Sequence, residues 1–342
     1  MLIEGVFAAV PTPFYSDEKV YLRKLEANMD RYSRGSLAGM LVLGSTGEAA
    51  LLDDAESREV LRVAAAATAP EKVLIAGVSR ESVKGTVEVA EAAAGFGYDA
   101  VLVRTPRYYA EQMTPAVVLN YFRSVADRSP LPVLLYNIPQ CNAYNLPIEV
   151  VAELAQHANI IGIKDSSGSV ERIREQVAAT GGALRRTVTV TPVFAAATGR
   201  MLKPEAAGDL VSIGALGGGG SVPLKTRTKE VGFQVLTGSA SSLLESIEAG
   251  ACGGILGLAA CAPGACLEVY FAWKDHDLKL AHEKQSRIIR ANQRIVTELG
   301  VSGLKYGCDF NGYYGGRARL PLLPVTGAKK KEIEGLLAGI RN

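Results

Sequence analysis

Lys164 closes the apolar run Asn159-Ile160-Ile161-Gly162-Ile163, so its stem emerges from a segment that reads as a buried strand. Lysines are rarely buried unless they are used or paired. Desolvation lowers an amine pKa and raises the fraction of free base. A free amine can attack a ketone to give an imine, which then acts as an electron sink. The competing reading of Lys164 is a structural ion pair with Asp165 or Glu48. Tyr136, in Tyr136-Asn137-Ile138-Pro139, also stands where an apolar run ends. A phenol there can carry protons to and from a carbinolamine, though a packing tyrosine fits the same position. The turn Gly44-Ser45-Thr46-Gly47-Glu48 offers backbone N–H groups and two hydroxyls. Such a turn can cradle a carboxylate without a bulky cation, but the same residues also describe an ordinary turn.

Two further strand ends carry Thr105-Pro106-Arg107-Tyr108-Tyr109 and Gly238-Ser239-Ala240, and Ser166 and Ser167 follow Lys164 closely. No histidine stands at any of these ends. His157, His276 and His282 fall on helical stretches without metal-site spacing, so an amine route is favoured over a metal-stabilised enolate. No metal is expected.

These side chains need a scaffold that gathers strand ends. Short apolar runs recur at Val6–Val10, Gly39–Leu43, Val73–Gly77, Ala100–Val103, Val133–Tyr136, Ile160–Ile163, Gln234–Leu236 and Gly254–Leu258. They are continuous rather than alternating, as in strands buried on both faces. Amphipathic stretches lie between them at Glu56–Ala69, Val83–Phe96, Thr114–Ala126, Pro147–His157 and Val170–Ala179, with Pro147 suited to a first helical turn. Eight such units predict an α/β fold, a TIM (β/α)8 barrel, with catalytic groups at the C-terminal strand ends. A doubly wound open sheet is the alternative, and no GxGxxG follows the first strand.

The barrel is expected over residues 1–265, followed by a C-terminal helical region over 266–342 with helical patterns at Leu267–Ala272, Leu278–Leu299, Val301–Phe310 and Lys329–Ile340. The step from the sixth strand to the seventh is about twice the usual period. The excess, at about 181–223, holds TVTVTPVF and the Gly217–Gly220 run, with the basic KTRTK segment beside it. Its place between a helix and the next strand puts it on the N-terminal face, away from the mouth. Packing or assembly is the expected role.

A net charge of +2 over 342 residues gives no basic field for nucleic acid. The first residues lack the basic start of a signal peptide, and Pro11 and Pro13 interrupt their apolar run. No unbroken apolar stretch reaches the length of about 18 residues that a membrane span needs. Five cysteines without a CxxC pair suggest reduced thiols and a cytoplasmic location.

In this order and at these strand ends, GSTGE, TPRYY, YNIP and IGIKDSSG resemble the dihydrodipicolinate synthase/N-acetylneuraminate lyase family of class I aldolases. The resemblance covers nearly the whole chain apart from about 181–223. It implies a TIM barrel with C-terminal helices, assembled as a homotetramer, a dimer of dimers. It implies that Lys164 is the Schiff-base lysine and Tyr136 the proton-transfer tyrosine. Ser45 and Thr46 would hold a keto-acid carboxylate, with Ser45 in the proton relay. Tyr108, or Tyr109 in another registration, would reach the neighbouring subunit's site. Gly47, Ser166, Gly238 and Ser239 complete the implied substrate-binding set. The only prosthetic chemistry is the covalent imine on Lys164, and the implied ligands are pyruvate and an aldehyde.

Dihydrodipicolinate synthases usually carry an arginine where this chain has Cys141, and Gly-Asp-Asp where it has Gly238-Ser239-Ala240. Phe233–Ala240, Met113 and the stretch Gly303–Leu322 instead resemble 4-hydroxy-2-oxoglutarate aldolase-like members. The implied reaction is cleavage of 4-hydroxy-2-oxoglutarate, or a related 2-keto acid, to pyruvate and an aldehyde. The alternative is condensation of pyruvate with aspartate semialdehyde. A third possibility is a catalytically silent barrel that binds a keto acid.

Overall fold

Eight short parallel strands close on one another in the order β1-β10-β9-β6-β5-β4-β3-β2. They are β1 (Gly5–Ala9), β2 (Gly39–Val42), β3 (Val73–Gly77), β4 (Ala100–Arg104), β5 (Val133–Asn137), β6 (Ile160–Asp165), β9 (Gln234–Thr237) and β10 (Gly253–Leu256). The remaining pair, β7 (Arg186–Val190) and β8 (Arg227–Val231), forms a separate antiparallel hairpin. The computed structural model describes residues 1–193, 195–202 and 225–340. The Gly217–Gly220 run lies outside the described residues.

The apolar runs are continuous because both faces of each barrel strand are covered. Phe7, Leu41, Ile75, Leu102, Leu134, Leu236 and Ile255 fill the lumen. Val6, Met40, Leu74, Val101, Leu135 and Val235 pack outward against the helices. Gly162 faces the lumen opposite Gln234 of β9, and a Cβ there would sit 2.2 Å from the Gln234 carbonyl oxygen.

Around the barrel run α1 (Leu22–Ser33), α2 (Asp54–Ala66), α3 (Val83–Gly95), α4 (Pro115–Arg128), the single turn α5 (Pro139–Asn142), α6 (Ile148–Leu154), α7 (Val170–Thr180), α8 (Leu243–Glu248) and α9 (Pro263–Lys274). Their starts are written locally. Asp53 and Glu56 form a reciprocal capping box on α2. Ser82, Thr114 and Ser169 accept the third N–H of α3, α4 and α7. Pro147 lies one residue outside α6, as its N-cap, rather than in its first turn.

Helix α9 spans the expected 265/266 boundary and packs on β1. Beyond it lie α10 (Leu278–Ala291), α11 (Gly300–Phe310) and α12 (Gly327–Leu337). The helix expected over Leu278–Leu299 is not uniform. It passes into a π-helical segment, Asn292–Glu298, which faces the barrel mouth. Wide π turns recur at functional sites because they re-aim side chains without ending the helix.

The hairpin lies under the barrel. Val188, Val190 and Val231 pack on Leu2, and Lys229 pairs with Glu4 at 3.0 Å. Arg186 donates to the carbonyls of His157, Ala158 and Ile160, at the entry to β6. Thr198 Oγ1 donates to the Pro70 carbonyl, and the Gly199 N–H donates to Asp99 Oδ1 at 3.1 Å. All these partners precede or begin barrel strands.

Candidate active site

The strand register brings the chemistry together. Lys164 on β6 is the Cα partner of Tyr136 on β5, and Tyr136 is the partner of Arg104 on β4. Paired residues on parallel strands point to the same face, so all three aim into the barrel mouth. Lys164 lies within its strand, one residue further in than the sequence reading placed it. It is 4% exposed and Tyr136 is 5% exposed. Lys164 Nζ donates to the Tyr136 hydroxyl at 3.4 Å and lies 4.4 Å from its ring centroid. Ser45 Oγ is 3.4 Å from the same hydroxyl. An amine, a phenol and a serine hydroxyl thus form one chain of exchangeable protons.

The two carboxylates that could have neutralised Lys164 are engaged elsewhere. Asp165 is the next residue on the strand and points to the opposite face. There it accepts from Asn137 Nδ2 at 2.8 Å, Arg172 Nε at 2.9 Å and Gln176 Nε2 at 2.7 Å. This hub ties β5, β6 and α7 together directly behind the lysine. Glu48 is held by Lys305 Nζ and by the Arg319 N–H at 2.8 Å. Among the described residues no ion pair to Lys164 is formed.

The serine turn is held at both ends in an uncommon conformation. Leu43 (φ 58°) and Glu48 (φ 55°) occupy the left-handed region, where a β-carbon is disfavoured. Between them Ser45–Gly47 make one 3-10 turn. Such strain persists when the surroundings over-determine it, and here burial of Glu48 against Lys305 does so. Burial lowers the Lys305 pKa, while the Glu48 charge opposes that shift.

Ser45, Thr46, Tyr136, Lys164, Ser166, Gly238 and Ser239 all line one cavity of about 380 Å³, roofed by Asn292, Val296 and Thr297 of the π segment. Gly238 must be glycine for close packing, since a Cβ there would lie 1.8 Å from Ser166 Oγ. Two residues expected in the set stand elsewhere. Gly47 does not line this cavity: its N–H donates to the Gly44 carbonyl and its own carbonyl accepts from Thr12 Oγ1 at 2.6 Å. Tyr108 is 80% exposed, stacked edge-on against Tyr109 on the outer loop after β4. Within a single chain it does not reach Lys164's cavity.

The sequence reading missed Lys305, which sits inside a stretch noted only for its resemblance, and Arg104, which it left just beyond a strand end. It also missed the π segment. No group of His, Cys, Asp and Glu that could hold a metal occurs among the described residues.

A closed parallel barrel, with a buried lysine and a tyrosine paired at its C-terminal mouth, is the architecture of an aldolase-type lyase. Residues 2–185 and 194–339 match the dihydrodipicolinate synthetase family, and the chain belongs to that family. It is accordingly a class I, imine-forming lyase. It is 26% identical over 343 residues to the 4-hydroxy-tetrahydrodipicolinate synthase of Acidiphilium cryptum, covering 99% of each chain. Among solved structures it resembles an Escherichia coli K12 prophage protein of the dihydrodipicolinic acid synthase family, determined in complex with pyruvate. That match has a TM-score of 0.80 and 23% identity, over 99% of both chains. The Acinetobacter baumannii dihydrodipicolinate synthase, also complexed with pyruvate, matches with a TM-score of 0.79 and 24% identity, over 99% of this chain and 100% of that one.

Proposed function

We propose that Lys164 forms an imine with pyruvate and that the enzyme makes or breaks a carbon–carbon bond between pyruvate C3 and an aldehyde. The observation that carries this reading is a buried amine 3.4 Å from a phenol on the next strand, with neither nearby carboxylate to neutralise it. In the condensing direction the amine adds to C2 of pyruvate. Tyr136 delivers the proton with which the carbinolamine loses water. Tyr136, left as the phenolate, takes a C3 proton to give the enamine, whose C3 attacks the aldehyde carbon. Tyr136, relayed through Ser45, supplies the proton to the new alkoxide. Water then hydrolyses the imine. Cleavage runs the same steps backwards, with the C4 hydroxyl proton leaving to Tyr136. Thr46 and Ser166 offer hydroxyls to the keto-acid carboxylate, and Gly238 and Ser239 close the wall beside them.

The relatives' names favour condensation with aspartate semialdehyde over cleavage of 4-hydroxy-2-oxoglutarate. The absence of an arginine at Cys141 supports the second reading. Exposed Tyr108 and Tyr109 support a partner subunit at that edge, in keeping with the homotetramer that the family resemblance implies. Five free thiols fit a cytoplasmic location.

Pyruvate plus borohydride should add one adduct mass, mapped to the Lys164 peptide and absent from Lys164→Ala. A folded wild type that takes no adduct would sink the reading. Pyruvate consumption with aspartate semialdehyde, set against pyruvate release from 4-hydroxy-2-oxoglutarate, then decides the substrate. An adduct-free protein that still binds pyruvate would instead be a silent barrel.

A further inference from the structure

The Lys164 cavity has a neighbour. A second chamber of about 430 Å³ shares Ser45, Tyr136, Gln140 and Cys141 with it, and continues to Ser79, Arg104 and Arg107. The two chambers therefore adjoin at Tyr136 and Ser45, the residues given proton transfer in the function proposed above. A chain extending from C3 of an imine on Lys164 passes Tyr136 into this second space.

We propose that Arg104, backed by Arg107, is the specificity-determining group for the second substrate, and that it binds the carboxylate of a short acidic aldehyde or, equivalently, the distal carboxylate of an extended keto acid. This rests on the Lys164 imine. Arg104 is the last residue of β4 and shares a rung of the barrel with Tyr136. Ala100 and Leu102, four and two residues earlier, fill the lumen. The strand period of two then turns Arg104 inward as well. It ends the apolar column with a guanidinium at the chamber wall.

Arg104 and Arg107 set two cations against the one carboxylate of Glu81, so the local charges keep a positive excess. Glu48, also on this wall, is neutralised by Lys305. Cys141 stands where the family resemblance sets an arginine, and brings no charge. Glu81 takes one terminal nitrogen of Arg104 at 3.0 Å, and the Thr105 carbonyl accepts from the other at 2.9 Å. Those bonds fix the guanidinium plane and leave further N–H donors, out of the five it carries, for a ligand. Anion recognition has thus moved from the turn after β5 to the end of β4. Aspartate semialdehyde carries a carboxylate that suits it, and so does glyoxylate, the aldehyde that cleavage of 4-hydroxy-2-oxoglutarate would release.

The test is borohydride trapping at graded concentrations of three keto acids: pyruvate, 2-oxoglutarate and 2-oxopentanoate. The last matches 2-oxoglutarate in chain length but ends in a methyl group. The wild type should trap 2-oxoglutarate at least 10-fold more readily than 2-oxopentanoate. Arg104→Gln should erase about 10-fold or more of that preference, as a charge-assisted hydrogen bond implies, and Arg104→Lys should restore part of it. A purely structural brace to Glu81 would weaken both long acids alike, and that result overturns the proposal. So does a wild type that does not discriminate, or a preference that survives in Arg104→Gln. Pyruvate is too short to reach the second chamber, so its adduct reports the imine step separately. If the wild type takes no pyruvate adduct, the Lys164 reading falls and this one with it. A pyruvate adduct without the discrimination removes the Arg104 assignment alone.

Discussion

Glu48 and Lys305 meet side chain to side chain in the interior although 257 residues separate them in sequence. Lys305 is fully buried and also donates to the Arg317 carbonyl at 2.8 Å. The pair joins the turn after β2 to α11, so the C-terminal helices brace the turn that carries Ser45. Removing one partner strands the other charge without solvent. Lys305→Met or Glu48→Gln should therefore cost about 3–5 kcal/mol of stability, read from urea unfolding. Replacing both by methionine should recover much of that loss. Equal destabilisation in the single and double variants would show that the charges do not act as a pair.

Tyr136→Phe should keep the fold and the ring packing against Lys164 while removing the shared hydroxyl. Turnover should fall about 10²–10⁴-fold, the range for loss of a positioned proton donor. The pyruvate adduct should still form, more slowly, because the amine remains. Ser45→Ala should fall less far, since Ser45 reaches the reacting atoms only through Tyr136. Unchanged turnover in Tyr136→Phe would exclude the phenol from proton transfer.

Gly238→Ala tests the packing of the cavity wall. The added methyl meets the Ser166 side chain, and overpacking of this kind costs about 1–3 kcal/mol. The half-saturating pyruvate concentration should rise as Ser166 is pushed into the cavity. Gly238→Ala combined with Ser166→Ala should relieve the clash. If thermal unfolding shows no difference between the single and double variants, the close approach is not a constraint in solution.

Acid should loosen the Tyr108 loop before it unfolds the barrel. Burial works to raise the Glu81 pKa, but the N–H groups of Tyr108 and Arg107 and the Arg104 guanidinium outweigh it and hold the carboxyl below the ordinary glutamate value. A carboxyl depressed in the folded state contributes stability at neutral pH, and that contribution is lost as pH falls through its folded value. Hydrogen exchange at Arg107 and Tyr108, whose N–H groups lie 2.7 and 2.9 Å from Glu81, should accelerate there ahead of β4 itself. Glu81→Gln should shift that loosening up to neutral pH. Simultaneous loss of protection in loop and strand would count against a local switch.

Much of the site was legible because of how a barrel writes itself into a chain. Strands covered on both faces appear as continuous apolar runs, and a lysine ending one of them has little to do except pair or react. That reasoning singles out Lys164, while Tyr136 and the serine turn kept packing and plain-turn readings until the family resemblance supplied their roles. What stayed hidden depends on distance or register. No local pattern tells Lys305 that its partner is Glu48. Arg104 looked like the polar residue that stops a strand, because a charge after Val103 reads as solvent. Its inward direction emerges only when Leu102, Tyr136 and Lys164 are aligned rung by rung. The π turn at Asn292–Glu298 has no residue signature, and it arises where Val296 packs close against Gly257. The β7–β8 pairing joins segments about forty residues apart, beyond any hairpin that turn chemistry announces.

That hairpin bears on how such a barrel can be rebuilt. Its two arms are anchored to the chain entering β1 and β6, on the side from which no substrate arrives. Between the arms, Thr198 and Gly199 tie the same appendage to Pro70 and Asp99, at the entries to β3 and β4. Four strand entries are thus clamped from below, at the end of the barrel opposite Lys164.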